Sequence, residues 1–394
     1  MRTMNRHFAT AALCASVFAL GCTALRAEET RGVTKDEILI GVPIDLSGPL
    51  AEVGRQGQKG AQMAEEEINA KGGINGRKLK ILYEDQQYDA KKTVLVTQKL
   101  IEQDKVFAIM LTYGTGPAAA AYPMVLKSGT PHVCPSTASA MFAEPMERLS
   151  FQCYPSYGAM SASGVKNFLD KQGKKKVCLI YQDDEFGAEV KGSMEKVLAQ
   201  ANQKIVEEAG YKRGATDFSA QVARVQRGEC DLLMLAAVPP AAAAIMQEAQ
   251  RRSWAPAVLI APPGFEDNTI KLGKDAVEGA YAVGFIAPPD LERSPADEQE
   301  WMKRYQAKYN QPASLYAAYA YMFVYLAAEG IKNAGPNLTV DSLVKGMEGV
   351  KNYKSIFGAT FTFSDKSHAG VTGAKLFQVK SGRWVELGDL PPAL

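Results

Sequence analysis

A glycine-rich turn between an apolar strand and a helix is the part of this 394-residue chain best suited to binding an anion. A strand is predicted at 106–111, and Pro117 is the predicted first residue of the helix that follows. The turn between them consists of Thr112, Tyr113, Gly114 and Thr115. Such a turn directs unpaired backbone N–H groups and the positive helix end at one point, which favours a carboxylate.

A second polar loop follows the next predicted strand, 131–134. It contains Ser136, Thr137 and Ala138. Because ligands of open α/β sheets bind beyond the carboxyl ends of the strands, this loop and Thr115 are predicted to form one carboxylate site. Capping or a Ser/Thr turn explains the same residues without any ligand.

Nucleotide binding is an alternative for the first turn, since 114–119 matches the pattern G-x-G-x-x-A. The match follows the third strand of its sheet, and Cys134 stands about where a ribose-binding acid is expected. The sequence therefore disfavours a dinucleotide, and we expect no cofactor and no metal.

Aromatic side chains follow several strand ends, where they could form the walls of a pocket. The candidates are Tyr157, Phe186 and Phe265. Each one alone is more often a core residue, so the prediction depends on their equivalent positions after the strands.

Catalytic groups are scarce. Beyond residue 27 only His132 and His368 could serve as imidazole bases, and neither has a metal-binding partner at i+4. The sequence contains no G-x-S-x-G elbow, Walker loop or H-E-x-x-H helix. We therefore expect a binding protein and not an enzyme.

Apolar strands alternate with amphipathic helices along most of the chain, which predicts an α/β protein with two doubly wound parallel-sheet lobes and a ligand cleft between them. The first series has strands at 37–46, 78–84 and 106–111 and helices at 56–70, 90–103 and 117–127. The second has strands at 176–181, 204–208, 231–237 and 257–260 and helices at 185–200, 217–227 and 240–251. Two helices, 295–309 and 314–333, and short strands near 357–363, 375–380 and 383–387 complete the chain.

The first 27 residues have the pattern of a secretory signal peptide, with Arg2 and Arg6 before the apolar stretch 8–20. That stretch is shorter than the roughly 20 residues that span a membrane. We expect cleavage after Ala27 or Ala24 and a periplasmic location, with lipid attachment at Cys22 as a lesser alternative.

Removing the leader changes the formal net charge from +2 to −1, because it carries three arginines and no acid. This balance gives no electrostatic reason to expect nucleic acid as a partner. Four cysteines remain, and Cys134 with Cys153 are compatible either with a disulfide or with two buried thiols.

The motifs together resemble the periplasmic solute-binding proteins of branched-chain amino-acid ABC importers, the Leu/Ile/Val-binding type. The resemblance covers the whole mature chain and is carried by IGVP at 40–43, LSGPLA at 46–51, EINAKGGING at 67–76, the Pro135 loop, YQDDEFG at 181–187 and TDFS at 216–219. It implies two lobes joined by a three-crossing hinge, expected as 33–154 with 285–356 and 155–284 with 357–394. It also implies a monomer that closes on a small ligand and docks on a permease and ATPase complex.

The resemblance also implies ligand contacts. The loops Thr112–Thr115 and Ser136–Ala138 correspond to the pair that holds the ligand carboxylate, Phe186 to an aromatic near the ligand, and Tyr316 to a tyrosine facing the cleft. Two positions depart from the amino-acid binders. Ala138 replaces a threonine, and Pro263 stands where an acid faces the ligand ammonium.

A buried ammonium without a counter-charge costs several kcal/mol, so this cleft is expected to favour a carboxylate that lacks an α-amine. The tyrosines and phenylalanines point to an aromatic acid. Branched-chain or other amino acids are the alternative if Glu266 or Asp267 replaces the missing acid. A ligand-sensing module or an exported hydrolase is less compatible with the sequence.

Overall fold

The computed structural model describes residues 30–394. The predicted leader and Cys22 lie outside the described residues. Within residues 30–394, none of the helices combines the length and apolar character that a membrane crossing requires. The described chain forms two β-sheets with helices packed against them.

The first sheet has five parallel strands in the order β2-β1-β3-β4-β5. These are β1 (Glu37–Ile44), β2 (Lys78–Asp85), β3 (Ala108–Met110), β4 (His132–Val133) and β5 (Ser150–Phe151). The helices that follow its strands are α1 (Ala51–Ala70), α2 (Ala90–Glu102) and α3 (Thr115–Lys127). This crossover pattern brings the loops after β1, β2, β3 and β4 to one edge of the sheet.

The second sheet has seven strands in the order β14-β13-β10-β9-β8-β6-β7. Its strands are β6 (Val177–Gln182), β7 (Glu208–Tyr211), β8 (Leu232–Ala236), β9 (Ala257–Ile260), β10 (Tyr281–Gly284), β13 (Ala374–Lys380) and β14 (Arg383–Leu390). The strands from β10 to β7 are parallel, whereas β13 and β14 pair antiparallel at the other edge. Every residue of β8 is buried, as expected for a central strand covered on both faces.

Helices flank the second sheet and return to the first. They are α4 (Tyr157–Gln172), α5 (Glu185–Gln200), α6 (Ser219–Gln226), α7 (Pro239–Arg251), α8 (Asp267–Gly273), α9 (Ala296–Tyr309), α10 (Leu315–Asn333) and α11 (Val340–Glu348). A small ribbon, β11 (Tyr353–Lys354) and β12 (Thr360–Phe361), follows α11. Helix α10 packs along α1, where a Cβ atom on Gly60 would overlap the backbone of Ala317.

The stretch after β5 connects the first sheet to the second. The chain leaves the second sheet after β10, packs α10 on α1 beside the first sheet, and returns to the second sheet at β13. Two disulfides are formed, Cys134 with Cys153 and Cys178 with Cys230. The first joins the end of β4 to the stretch after β5, so it fixes one of the two candidate ligand loops to a connection between the sheets.

Several predicted elements differ from the structure. Helix α1 begins at Ala51 and not at Gln56, and α3 begins at Thr115, which makes Pro117 its third residue. The strand expected at 204–208 is displaced to β7, whose pairing with β6 begins at Glu208. Helix α4 was not predicted, because most of its residues are buried and many of these are small or polar. Its sequence therefore has only a weak amphipathic pattern.

Candidate ligand-binding site

The loops after β3 and β4 lie side by side. The Ser136 N–H donates to the Thr112 carbonyl over 3.0 Å, and the Gly114 N–H donates to the Ser136 carbonyl over 3.3 Å. These bonds extend the parallel pairing of the two strands into their loops. The structure therefore brings together the two loops that the sequence assigned to one carboxylate site.

Four of the backbone N–H groups in these loops donate to no backbone carbonyl among residues 30–394. They belong to Thr115 and Gly116, which open α3, and to Thr137 and Ala138. The Thr115 and Thr137 hydroxyls are 2.8 Å apart. We call these four residues the donor cradle. Its N–H groups and the positive end of α3 suit an anionic oxygen pair.

The backbone at Gly114 shapes the cradle. Gly114 precedes α3 with a φ of 84°, a region that favours glycine, and a Cβ atom there would overlap the Tyr88 ring. The Thr112 side chain is directed elsewhere, because its hydroxyl lies 3.2 Å from Nε2 of His132. Thr112 therefore supports the loop through its carbonyl and not through a free hydroxyl.

Aromatic rings surround the cradle. Tyr113 lies 6.0 Å from Tyr88 and 5.8 Å from Tyr316 between ring centroids, and Tyr157 lies 4.9 Å from Phe186. The Tyr157 hydroxyl is within hydrogen-bonding range of the Thr137 and Thr115 hydroxyls and of the Ala138 N–H, and burial raises its pKa. The ring hydroxyls are therefore neutral and available as donors beside the cradle.

The opposite wall comes from the second sheet. Gln182, at the end of β6, donates from Nε2 to the Tyr88 hydroxyl over 3.1 Å. Asp184 accepts from Gln182 over 2.6 Å and from Arg213 over 3.0 Å. The Arg213 guanidinium lies 5.1 Å from the centre of the Tyr88 ring, a cation–π arrangement. These contacts close the cleft on the Tyr88 side.

A carboxylate on α5 closes the cleft on the other side. Glu189 accepts from the Ser139 hydroxyl over 2.6 Å and from the Ala140 N–H over 3.1 Å, both in the loop after β4. It also accepts from the Gly158 N–H at the start of α4 over 3.0 Å. Burial raises the pKa of Glu189, and these donors oppose that shift.

The sequence-predicted residues divide into two groups. The structure brings together Tyr113, Gly114, Thr115, Ser136, Thr137, Ala138, Tyr157, Phe186 and Tyr316, and Thr112 supports the first loop through its carbonyl. Phe265 is the exception, since its ring stacks on Phe377 at 4.3 Å, lies 5.0 Å from Trp384 and is fully buried. The assignment of Phe265 to the cleft is wrong, because the short turn Pro262–Gly264 directs this ring into the core behind β10.

Four residues of the cleft were not predicted from the sequence. They are Tyr88, Gln182, Arg213 and Glu189. Tyr88 and Arg213 follow β2 and β7, so the rule that ligand loops lie after parallel strands applies to them as well. Gln182 ends β6 and belongs to the motif at 181–187, whereas Glu189 lies beyond that motif on α5, where nothing local marks it as a cleft residue.

The remaining polar clusters do not suggest catalysis or metal binding. Burial lowers the pKa of His132 to about 3, so this imidazole is neutral at physiological pH. Its Nδ1 is buried without a partner in the described chain, so one ring nitrogen is unsatisfied. Within residues 30–394, no three His, Cys, Asp or Glu side chains are grouped to hold a metal ion.

Comparison with known proteins identifies the family. Residues 37–383 match the sequence model described as periplasmic binding protein, which covers most of the chain. The chain belongs to this periplasmic binding protein family. Its relative from Brucella suis, named Leu/Ile/Val-binding protein homolog 1, is 24% identical over 347 residues, which are 88% of this chain and 91% of the relative. The resemblance stated from the sequence motifs is confirmed.

Solved structures of this periplasmic binding protein type have the same fold. A branched-chain amino acid transporter substrate-binding protein from Streptococcus pneumoniae, in complex with isoleucine, is 23% identical with a TM-score of 0.79 and covers 90% of this chain and 100% of its own. An ABC-transporter solute-binding protein from R. palustris, in complex with benzoate, is 20% identical with a TM-score of 0.80 and covers 91% and 97%. The predicted α/β fold class is confirmed.

Proposed function

We propose that this protein is the extracytoplasmic solute-binding component of an ABC importer, which captures a small carboxylate and delivers it to a membrane permease. The favoured ligand is an aromatic or other organic acid without an α-amine. The donor cradle carries this proposal, since its four N–H groups donate to no backbone carbonyl and lie beside an aromatic cleft between two sheets.

The cradle suits a carboxylate for electrostatic reasons. Leaving a buried donor unsatisfied costs about 1–3 kcal/mol, so a ligand that accepts from several of these N–H groups gains a large share of its binding free energy there. Backbone donors at a helix N-terminus bind an anion without a side-chain cation. Arg213 is already paired with Asp184, which leaves the cradle as the principal anion-binding feature.

The loop after β9 supports an amine-free ligand. Pro263 occupies the position where amino-acid binders of the resembled type place an acid, and it cannot pair with an ammonium. Glu266, three residues later, is fully buried, and burial raises its pKa. A ligand ammonium therefore meets no carboxylate that is already ionised in this loop.

The aromatic lining favours a ring-containing acid. Tyr88, Tyr113, Tyr157, Phe186 and Tyr316 offer ring faces and edges around the cradle. Aromatic pairs contribute about 0.5–1.5 kcal/mol beyond the burial of their area. The benzoate complex of the structural relative from R. palustris provides a precedent for such a ligand on this fold.

Amino-acid uptake is the second candidate. The Streptococcus pneumoniae relative holds isoleucine, and the Brucella suis relative is named for leucine, isoleucine and valine. Ionisation of Glu266 on ligand binding would supply the missing counter-charge. The two candidates differ in one chemical group, the α-amine, and can be separated directly.

The lobes and the cellular context belong to the same proposal. Residues 33–154 with 285–356 form one lobe and residues 155–284 with 357–394 the other, and they close on the ligand as a monomer. The Tyr88–Gln182 and Ser139–Glu189 contacts hold the closed form. Export by the leader places the mature chain in the periplasm, where it meets the permease.

Matched ligands in a thermal-shift experiment test the proposal. The mature protein is heated with benzoate, 3-phenylpropanoate and 3-methylpentanoate, and with phenylalanine and isoleucine, the α-amino counterparts of the last two acids. A ligand at 100 times its Kd adds about 2.7 kcal/mol to the free energy of unfolding, a clear rise in melting temperature. Stabilisation by isoleucine or phenylalanine but by none of the three acids contradicts the favoured ligand.

A further inference from the structure

Glu266 is a buried acid that has one oxygen without a partner in residues 30–394. Its Oε2 accepts from the Asn268 N–H over 2.7 Å and caps α8. Its Oε1 is buried and has no hydrogen-bond partner in residues 30–394, and the side-chain amide nitrogen of Asn268 is also unpartnered. A buried polar atom of this kind usually has a partner, which points to a ligand group.

Glu266 also contacts the aromatic part of the cleft electrostatically. The titratable groups that face it are Asp267 and Lys271 from α8, Glu52 from α1, and Tyr316 and Tyr319 from α10. Tyr316 lies 5.8 Å from Tyr113, whose loop leads into the donor cradle. Glu266 follows β9, so it lies at the edge of the second sheet where ligand loops are expected.

Burial decides the protonation state of Glu266. Desolvation first, and then the negative charge of Asp267, raise the pKa of Glu266 to about 8. The Asn268 N–H and the positive charge of Lys271 act in the opposite direction without cancelling the effect. The side chain carries a proton at pH 7 and can donate a hydrogen bond from a carboxylic acid.

We propose that Glu266 is a specificity-determining residue of the cleft, whose unpartnered Oε1 forms a hydrogen bond with a hydroxyl group at the far end of the ligand. The inference rests on the proposed function, since it assumes a carboxylate in the cradle. The ligand class that follows is a hydroxyl-bearing aromatic acid. Binding of the amine-free acid transfers no proton, because Glu266 keeps its own.

An amino-acid ligand should instead cause Glu266 to lose its proton. Its ammonium favours ionised Glu266, which releases the carboxyl proton to solvent. Affinity for an amine-free acid falls as the pH rises above the pKa of Glu266, because ionised Glu266 repels the anion, whereas affinity for an amino acid rises over the same interval. The direction of the pH dependence therefore distinguishes the two ligand classes at this residue.

Titration calorimetry with the mature protein tests the inference, with benzoate and 4-hydroxybenzoate as probes. Wild type is expected to bind 4-hydroxybenzoate about fivefold to tenfold tighter than benzoate at pH 7, as one net hydrogen bond implies. In Glu266→Gln the amide still caps α8 and still donates, so the preference should persist. In Glu266→Leu the preference should fall below twofold.

The pH profile with benzoate is the second measurement. Wild-type affinity should fall about tenfold for each pH unit well above the pKa of Glu266, and Glu266→Gln should remove that dependence. Glu298→Gln is the matched control, because Glu298 is also a buried acid but lies on α9 and is bonded to Ser294. This control should keep the wild-type profile.

The outcomes separate the two hypotheses. If wild type binds isoleucine and neither acid, the proposed function is wrong in its ligand. If wild type binds both acids equally, or if Glu266→Gln loses more than tenfold in affinity for them, the role of Glu266 is wrong although the proposed function stands. A preference for 4-hydroxybenzoate that Glu266→Gln keeps and Glu266→Leu abolishes supports the inference.

Discussion

The contact between Ser139 and Glu189 should control how long a ligand stays in the cleft. Ser139 belongs to the loop after β4, and Glu189 belongs to α5 beside the second sheet. Their hydrogen bond can form only when the two sheets approach each other. Removing the Ser139 hydroxyl should therefore destabilise the closed form and leave the open form unchanged.

The size of the effect follows from the geometry. The Ser139 hydroxyl donates to a carboxylate oxygen over 2.6 Å, and a hydrogen bond to a charged group is worth about 1.5–3 kcal/mol. Glu189 is only half-buried, so the lower value applies. A loss of about 1.5 kcal/mol corresponds to roughly a tenfold rise in Kd. The Gly158 N–H stays on Glu189 in the variant, because α4 and α5 pack against each other.

Stopped-flow dissociation and calorimetry of Ser139→Ala measure this effect, with benzoate as the probe, or isoleucine if the cleft takes amino acids. The rise in Kd should appear mainly as a faster dissociation rate, since the two lobes close only after the ligand has bound. Ser161→Ala is the control, because Ser161 is fully buried on α4 and its hydroxyl has no partner in residues 30–394. Rate and affinity within twofold of wild type in Ser139→Ala would refute the closing role of this contact.

Three further changes have defined outcomes. Thr137→Val should weaken benzoate binding about fivefold by calorimetry with little change in melting temperature, whereas Thr97→Val, a buried hydroxyl on α2, should not. Tyr88→Phe should raise Kd about threefold to fivefold, because it removes the hydroxyl that accepts from Gln182 but keeps the ring beneath Arg213. In urea unfolding, the free energy of unfolding of wild type should fall by about 2 kcal/mol between pH 7 and pH 5 because of His132. His132→Asn should not show this fall, so the difference in stability between the two proteins should become smaller. The low pKa of His132 makes the unfolded state bind a proton first, so wild-type stability is full above pH 6.5 and falls as the pH decreases toward 3.

The fold could be predicted because its elements are encoded locally. Strands such as β8 are continuous apolar runs, and most of the helices between them have one apolar face. Helix α4 failed this test, since Gly158, Ser161 and Gly164 are buried and leave little contrast between its faces. Its signals were its ends, with Ser156 capping the first turn and Gly173 in the left-handed region after the last.

The candidate site was predictable on one side only. The cradle depends on a turn, a helix start and a neighbouring strand, which are all close in sequence. Tyr88 meets Gln182 and Arg213 only because the second sheet faces the first. Both residues lie about a hundred positions or more after Tyr88 in the sequence. Sequence periodicity contains no information about that approach, and for the same reason Phe265 was placed on the wrong side of its loop.

The charges of the closed cleft bear on which ligand it accepts. Asp184 is neutralised by Arg213, and the Glu189 carboxylate is bonded to Ser139 and two backbone N–H groups. Glu266 is protonated at neutral pH because of its burial. The partial positive charge of the donor cradle at the start of α3 has the Arg213 guanidinium and the Glu185 carboxylate beside it, since a Cβ atom on Gly116 would overlap both side chains. A single carboxylate satisfies that charge, whereas a second anionic group or an ammonium would require another group in the cleft to change its protonation. The monoanionic ligand that we propose fits these charges, and both Pro263 and the protonated Glu266 leave a ligand ammonium without a counter-charge.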